Sequence, residues 1–547
     1  MKVLIIGTGL TGLMAAASLT GLLAEDASAS VEHKKAKVQI ELIGDGSGAS
    51  PYIHGFNLPL DEKDSVQDFL TDTIAGGYGL SRPELVKCLC QDSLELLKDL
   101  EKLGVKLEMQ DGKYVLLKPL GASWPRVTGS GNHTGAEIRN RLITLLKEQK
   151  EVSFTMDSRV LRLDVQEKRV RGVYLWNRRL AKMEYRRADC ILLASGGFCG
   201  IYPFSTNTAD SGGDGIAMAY EAGIQLTDLE FIQFEPSVAL YPECLKGKSV
   251  ITTMFYEGAV LRNADMERFL DKADDSGSGE CVNKDILSRA IYEEIQKGLG
   301  TRHGGVYFDA TGVGKECLEK KYSSYVERYR KAGLDISQVP FEIAPGAHTS
   351  LGGIVIDPYA RTCVEGIWAA GEITGGIHGA NRMGGNAGLE TLVFGKRAGK
   401  SIGLYMDTEE QHNCGEEERP VPDIPVCRKA NKGLRSEALY TMRKEMEDIL
   451  QKDLYIIRNG EGLTKAAKRL DAMAEEVKNE GGRLPVFERL RLENDLLCAS
   501  LLAHSAKERT DSVGCHIRAD SEERDSRYHV VIQKKPEGME IKCIAEL

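Results

Sequence analysis

Residues 2–12 (KVLIIGTGLTG) constrain the chain more than any other stretch. Residues 2–6 (KVLII) read as a buried strand. Glycines at the spacing GxGxxG follow it, and an apolar segment from Leu10 to about Ala24 then reads as a helix. Gly7, Thr8, Gly9, Leu10, Thr11 and Gly12 thus form a strand-to-helix turn. Such a turn lets backbone N–H groups approach a pyrophosphate at the helix N-terminus. A second strand at 37–43 closes a βαβ unit after a polar extension at 25–36. The acid expected at its end, for a ribose, is missing, since the chain reads Leu42-Ile43-Gly44-Asp45: either Asp45 is displaced by one position or the ribose is held otherwise. Residues 1–24 carry almost no charge and could pass for a leader or a membrane span. Only Lys2 precedes the apolar run, however, and the glycine spacing argues for the turn. No other apolar stretch approaches ~20 residues, so no membrane span is expected.

Helical periodicity returns at 84–104 and 134–150, a β-meander is expected over 152–176, and 189–195 (DCILLAS) reads as another buried strand. A Gly/Ser/Asp-rich patch covers 273–280, residues 408–426 form an acidic, Pro-bearing connection, and helices are expected at 434–456, 463–479 and 484–507. The net charge of −10 with no basic block argues against nucleic acid as a partner. Thirteen cysteines without a CxxC pair argue against a disulfide framework, a metal site or a chain-borne cluster, and fit a reducing cytoplasm.

Further stretches carry a resemblance. Residues 213–216 (GDGI) with 227–236 (TDLEFIQFEP), 284–290 (KDILSRA), 345–354 (PGAHTSLGGI), 366–398 (GIWAAGEITGGIHGANRMGGNAGLETLVFGKRA) and 509–518 (RTDSVGCHIR) occur in this order. Together they resemble the signatures of the succinate dehydrogenase, fumarate reductase and L-aspartate oxidase flavoproteins. The resemblance runs over essentially the whole chain, and the length is nearest L-aspartate oxidase.

The resemblance implies an α/β fold: a Rossmann-like FAD-binding domain (1–232 and 342–407) with an inserted α+β capping domain (233–341). A linker (408–433) and a C-terminal helical domain with a tail (434–547) complete it. Ala49 falls where covalent members carry a histidine and His54 where the family has glutamine, so FAD is expected to be non-covalent. Beside the glycine turn, the resemblance implies cofactor contacts at Ser50, Tyr52, Gly55, Ala194, Gly196, Asp214, Glu372, Asn386 and Ala387. His348 and Arg382 match a carboxylate clamp, and arginine offers a bidentate fit. Arg289 matches an arginine that shuttles a proton, with Asp285 and Glu257 as candidate relay partners. Taken singly, these could be a turn histidine, a salt-bridged loop arginine and an exposed helix charge.

Departures cluster at the other end of the implied substrate. Glu235 stands where dicarboxylate-using members have the histidine of QFHP, and 251–258 (ITTMFYEG) lacks the Thr-Glu pair of T-E-x-x-R-G-E-G, leaving Thr252 and Glu257. An unneutralised carboxylate at ~4 Å would repel a second carboxylate by ~1–4 kcal/mol. The alternative is that Glu235 points away or is neutralised by a basic neighbour such as Arg262. The expected function is therefore hydride transfer at a carbon–carbon bond next to a carboxylate, with a rebuilt distal site. L-Aspartate oxidase is the alternative. A flavin-bearing electron-transfer subunit without its own chemistry fits the clamp poorly, and a nicotinamide-only dehydrogenase explains only the first motif. The electron partner is oxygen, a soluble carrier or a separate subunit.

Overall fold

The computed structural model describes residues 1–23, 38–208, 210–270, 279–408, 432–479, 485–521 and 527–547. Strand β1 (Lys2–Ile6) leads into α1 (Leu10–Leu19), and the chain returns as β2 (Gln39–Ile43). β3 (Val152–Thr155) and β4 (Cys190–Leu193) join them, and Ile367–Ala369 supplies the fifth strand. All neighbours in this sheet are parallel. Strands β1 and β4 are almost continuously buried, as strands covered on both faces are, while β3 at the sheet edge is only partly buried. The expected meander lies at 158–187 rather than 152–176, because residues 152–155 pair with β2 instead. The helix expected at 84–104 is two helices, Pro83–Asp92 and Glu95–Leu103. The polar extension at 25–36 and most of the patch at 273–280 and of the acidic connection lie outside the described residues.

After α2 (Asp214–Glu221) the chain enters an antiparallel sheet. Its members in chain order are β5 (Ile232–Tyr241), β6 (Val260–Arg262), β7 (Val306–Asp309) and β8 (Phe341–Ser350). They pair in the order β5-β8-β7-β6. Helices α3 (Lys284–Glu294) and α4 (Ser323–Lys331) accompany this sheet. Leu261, Leu287, Phe308, Tyr325, Tyr329 and Phe341 fill a hydrophobic cluster separate from the main core. Burying each such large side chain contributes about 1.5–3 kcal/mol, enough to make this segment a packed body of its own.

The chain then re-enters the first sheet at β9 (Ile367–Ala369), from which α5 (Asn386–Asp407) runs back alongside α1. α6 (Lys432–Asp453), α7 (Gly460–Asn479) and α8 (Val486–Glu508) follow near the expected positions. The tail forms a hairpin of β10 (His529–Lys535) and β11 (Gly538–Ile544), and β10 pairs with Leu226–Thr227. Among the described residues no helix is long and apolar enough to cross a membrane.

Candidate active site

A cavity of 760 Å³ runs from the turn after β1 to the face between the parallel sheet and the antiparallel one. Its near end is the glycine turn. Gly7 sits at φ +125°, and a Cβ there would lie 2.1 Å from the carbonyl oxygen of Ala194. A Cβ on Gly12 would lie 2.2 Å from the carbonyl oxygen of Gly7, so α1 can begin this close to β1 only with glycine there. No side chain of the Gly9 N-cap satisfies the helix start, whose first N–H, that of Leu10, donates to Ser50 Oγ at 2.9 Å. This open helix N-terminus, walled by small residues, fits the pyrophosphate of FAD.

Of the residues singled out in the sequence, Gly7, Thr8, Gly9, Leu10, Thr11, Ser50, Tyr52, Gly55, Ala194, Gly196, Asp214, Glu372 and Ala387 line this cavity. Gly12 supports the turn from behind. Asn386 also stands behind the wall, where its Oδ1 accepts from Asn57 Nδ2 at 2.6 Å. Asp45 lines the cavity, and Arg178 donates to it at 2.9 and 3.0 Å. Asp214 accepts from Arg159 Nε at 2.5 Å and from Asn494 Nδ2 at 2.7 Å, so α8 helps hold this wall. Burial pushes the Glu372 carboxyl up to about 7, although the Ser350 backbone N–H donates to it at 3.1 Å.

The far end gathers charged groups from four segments. Arg382 is buried. Its Nη1 donates to the Met383 carbonyl at 3.2 Å and its Nη2 to Thr349 Oγ1 at 3.4 Å, while its Nε has no hydrogen-bond partner among the described residues. His348, on β8, lies 2.7 Å from Thr206 Oγ1 through Nδ1 and 3.7 Å from Glu235 Oε2 through Nε2. Burial, with Lys284 and Arg382 nearby, holds His348 well below the ordinary imidazole range, so its ring is neutral near pH 7. Thr252 is buried in the capping segment and faces the same cavity, as does Tyr325 of α4.

Three expectations are corrected by side-chain direction. Arg289 does not line the cavity; its Nε donates to Glu293 one turn along α3 at 2.9 Å, on the half-exposed face. Glu257 turns outward to Lys321 at 2.6 Å, and Asp285 turns to the Tyr78 hydroxyl at 2.5 Å. Arg262 does not neutralise Glu235; it donates to Asp309 at 2.7 Å. The neutralising group is Lys284, whose Nζ donates to Glu235 Oε2 within the cavity. Sequence reasoning passed over Lys284 because the family match favoured an arginine. Helix geometry was the available signal: the buried positions Leu287, Ser288 and Ile291 set the inner face of α3, and Arg289 is off that face.

Comparison with known proteins gives the family. Residues 2–387 match the FAD binding domain family, and residues 443–543 match the fumarate reductase flavoprotein C-term family. The chain is 34% identical to one chain of the fumarate reductase (CoM/CoB) of Methanothermobacter marburgensis, over 95% of this chain and 94% of that one. It is 29% identical to L-aspartate oxidase of Yersinia pestis, over 95% of both. Among solved structures, Sdh1 of Mycobacterium smegmatis superposes with a TM-score of 0.82 at 25% identity, covering 100% of this chain and 94% of that one. A variant FrdA of E. coli quinol fumarate reductase superposes at 0.86 with 24% identity, covering 100% and 97%. The cofactor cradle, the charged far end and these matches along the whole chain make one statement: this protein belongs to the fumarate reductase and succinate dehydrogenase flavoprotein family and is an FAD-dependent oxidoreductase.

Proposed function

We propose that the chain binds FAD non-covalently and acts on a carbon–carbon bond adjacent to a substrate carboxylate, reducing a 2-enoate or running the reverse dehydrogenation. Bound FAD supplies two-electron hydride chemistry. The N-terminus of α1 and Ser50 hold its pyrophosphate end, and Glu372 and Asp214 serve the hydroxyl-bearing part. Arg382 and neutral His348 fix the substrate carboxylate, and residues 233–341 act as a cap that excludes water from the reacting bond.

One observation carries this reading. Arg382 is a buried cation at the cavity surface with an unbonded Nε and only long contacts for its other nitrogens. A buried guanidinium in that condition is built to receive an anion, and a carboxylate matches its fork. Ala49 supports non-covalent attachment, since it offers no nucleophile at the position of the family's linking histidine. Because Lys284 neutralises Glu235, the distal end is neither a free anion nor the histidine of dicarboxylate users, and a substrate with an uncharged far end suits it. Full-length similarity to L-aspartate oxidase supports the second reading, oxidation of an amino acid.

The experiment is anaerobic. Protein loaded with FAD and reduced by dithionite is mixed with fumarate, crotonate and cinnamate, and flavin reoxidation is followed by absorbance. Reoxidation by the monocarboxylates is expected. Reduction of the oxidised protein by L-aspartate, with ammonia released, would establish the second reading. Colour left in a washed acid precipitate would overturn non-covalent attachment.

A further inference from the structure

The outer part of the cavity is lined by cations that neither the cofactor cradle nor the clamp accounts for. Lys246 and Lys248 lie in the loop after β5, Arg328 is on α4, and all three line the cavity that holds Arg382 and His348. Tyr52, 55% exposed, marks this stretch as the mouth. We propose that the mouth is a subsite for a second anionic group of the substrate, carried beyond an uncharged spacer and held by Lys248 and Arg328. The proposal rests on the carboxylate reading above, and the uncharged part that suits Lys284 and Glu235 becomes the middle of the substrate.

The two cations are brought together by defined structure. The Ala239 N–H donates to the Lys248 carbonyl at 2.8 Å, and the Val250 N–H donates to the Ser237 carbonyl at 2.8 Å, so the loop folds back along β5. Arg328 Nη1 donates to the Ser249 carbonyl at 3.2 Å, which draws α4 against the residue next to Lys248. The Arg328 guanidinium lies 5.0 Å over the Tyr325 ring, and the Lys248 ammonium lies 5.6 Å over the Tyr52 ring. An aromatic face attracts a cation without cancelling its charge.

The charge at the mouth is left unbalanced. Among the described residues neither Lys248 nor Arg328 has an ion-pair partner. Lys246 sits 3.5 Å from Glu243 on the exposed side, and Glu235 is already taken by Lys284. Placing like charges in one wall is unfavourable, and an anion held by both reverses the sign. Leu245, Val250, Thr252 and Thr253 add only uncharged surface to this wall. Tyr325 feels both Glu235 and Arg328, so its ring links the inner ion pair to the mouth.

The ligand that fits is a 2-enoate whose first carboxylate reaches Arg382. Past an uncharged chain or ring, its other end carries a carboxylate, a sulfonate or a phosphate. Arginine's planar fork matches each of these oxyanions, and lysine adds a point charge. In fumarate the two carboxylates sit on adjacent carbons, so no spacer is present. The mouth makes and breaks no bond; it selects the longer anion and holds it in place.

Holoenzyme is titrated with matched acids and followed by the flavin absorbance: trans-2-hexenoate against trans-2-hexenedioate, and trans-2-octenoate against trans-2-octenedioate. At least one diacid is expected to bind about 10-fold or more tighter than its monoacid, an advantage that shrinks as salt is raised. An acid of the same length bearing a terminal phosphate, compared with the diacid, tells which anion the mouth takes. Lys248→Gln, alone and with Arg328→Gln, should bring the ratio of diacid to monoacid dissociation constants toward one. Lys246→Gln should change that ratio by less than about twofold, since Lys246 already sits beside Glu243. Diacids that bind no tighter than monoacids overturn the proposal. So does equal weakening of both acids in the variants, which would reduce the cations to general attraction. A loss of FAD affinity in the variants would assign these cations to the cofactor and overturn it as well. If no acid perturbs the wild-type flavin, the carboxylate reading fails, and calorimetry with inorganic pyrophosphate still decides the mouth. Binding by wild-type holoenzyme that is about 10-fold weaker in the double variant supports the subsite, and equal or undetectable binding in both overturns it.

Discussion

Arg382 carries more of the proposed chemistry than any other single side chain, and its surroundings say how a substitution should read out. Charge-assisted hydrogen bonds contribute about 1.5–3 kcal/mol, so Arg382→Ala should weaken carboxylate binding by roughly 10–100-fold. The loss should appear in kcat/KM by the same factor, because a clamp that acts equally in ground and transition states contributes to binding rather than to kcat. His348→Ala should cost less, since a neutral imidazole gives one uncharged hydrogen bond. Flavin-absorbance titration with the reactive acid measures both, and unchanged affinity in Arg382→Ala would place the carboxylate elsewhere. Glu372 predicts a pH effect on the FAD-free protein. Burial raises its carboxyl from 4.5 to about 7, so folding takes up a proton between those values. Stability therefore falls as pH rises through that window, by up to about 3 kcal/mol. Glu372→Gln should raise the Tm of apoprotein at pH 8 and lose the advantage near pH 4.5. Equal Tm differences at the two pH values would rule this out.

At the scale of elements, α3 joins the two halves of the site. Lys284 in its first turn faces the cavity, and the next residue, Asp285, receives a hydrogen bond from the Tyr78 hydroxyl in the FAD-binding part. Tyr78 sits at φ +58°, a left-handed conformation uncommon for a residue with a side chain, so the contact is held against local backbone preference. Among the described residues Asp285 Oδ1 has no hydrogen-bond partner, and Tyr78→Phe would strip Oδ2 of its side-chain donor as well. A loss of about 1–3 kcal/mol is expected, seen as a lower Tm with FAD still bound. A Tm equal to wild type would mean that the capping segment is held by its other contacts. The same helix explains what the sequence could and could not convey. The cradle was legible because its residues recur at fixed offsets in one strand–turn–helix, where spacing dictates position. Lys284 and Glu235 are 49 positions apart, and they meet only because β5 and α3 pack together. Spacing is silent about such pairs, so the sequence marked Glu235 as unusual without naming its partner.

Across the whole molecule, the C-terminal segment fastens the strand that presents Glu235. Arg509 is buried; its Nε donates to Glu230 Oε1 at 2.5 Å and its Nη2 to Asp228 Oδ1 at 3.2 Å. His529 Nδ1 lies 2.6 Å from Asp228 Oδ2, and the guanidinium stacks over Phe231 at 4.7 Å and Tyr528 at 4.5 Å. Asp228 and Glu230 immediately precede β5, so the tail fixes the strand's start while α3 engages it further along through Lys284. Burying a cation among two carboxylates offers little net stability over an apolar core, but removing one partner leaves the others uncompensated. Arg509→Met should therefore destabilise the protein by about 3–5 kcal/mol. Burial and the neighbouring Asp228 raise the Glu230 carboxyl, with Arg509 the main opposing influence, so without Arg509 the group should take up a proton on folding. The loss in Arg509→Met should accordingly shrink as pH is lowered. Adding Glu230→Gln to Arg509→Met removes the stranded charge and should recover part of the lost Tm at pH 8, which a simple packing defect would not permit. Thermal denaturation of the single and double variants at pH 8 and at pH 5 decides it: additive losses with no dependence on pH would mean that the tail is held by packing alone.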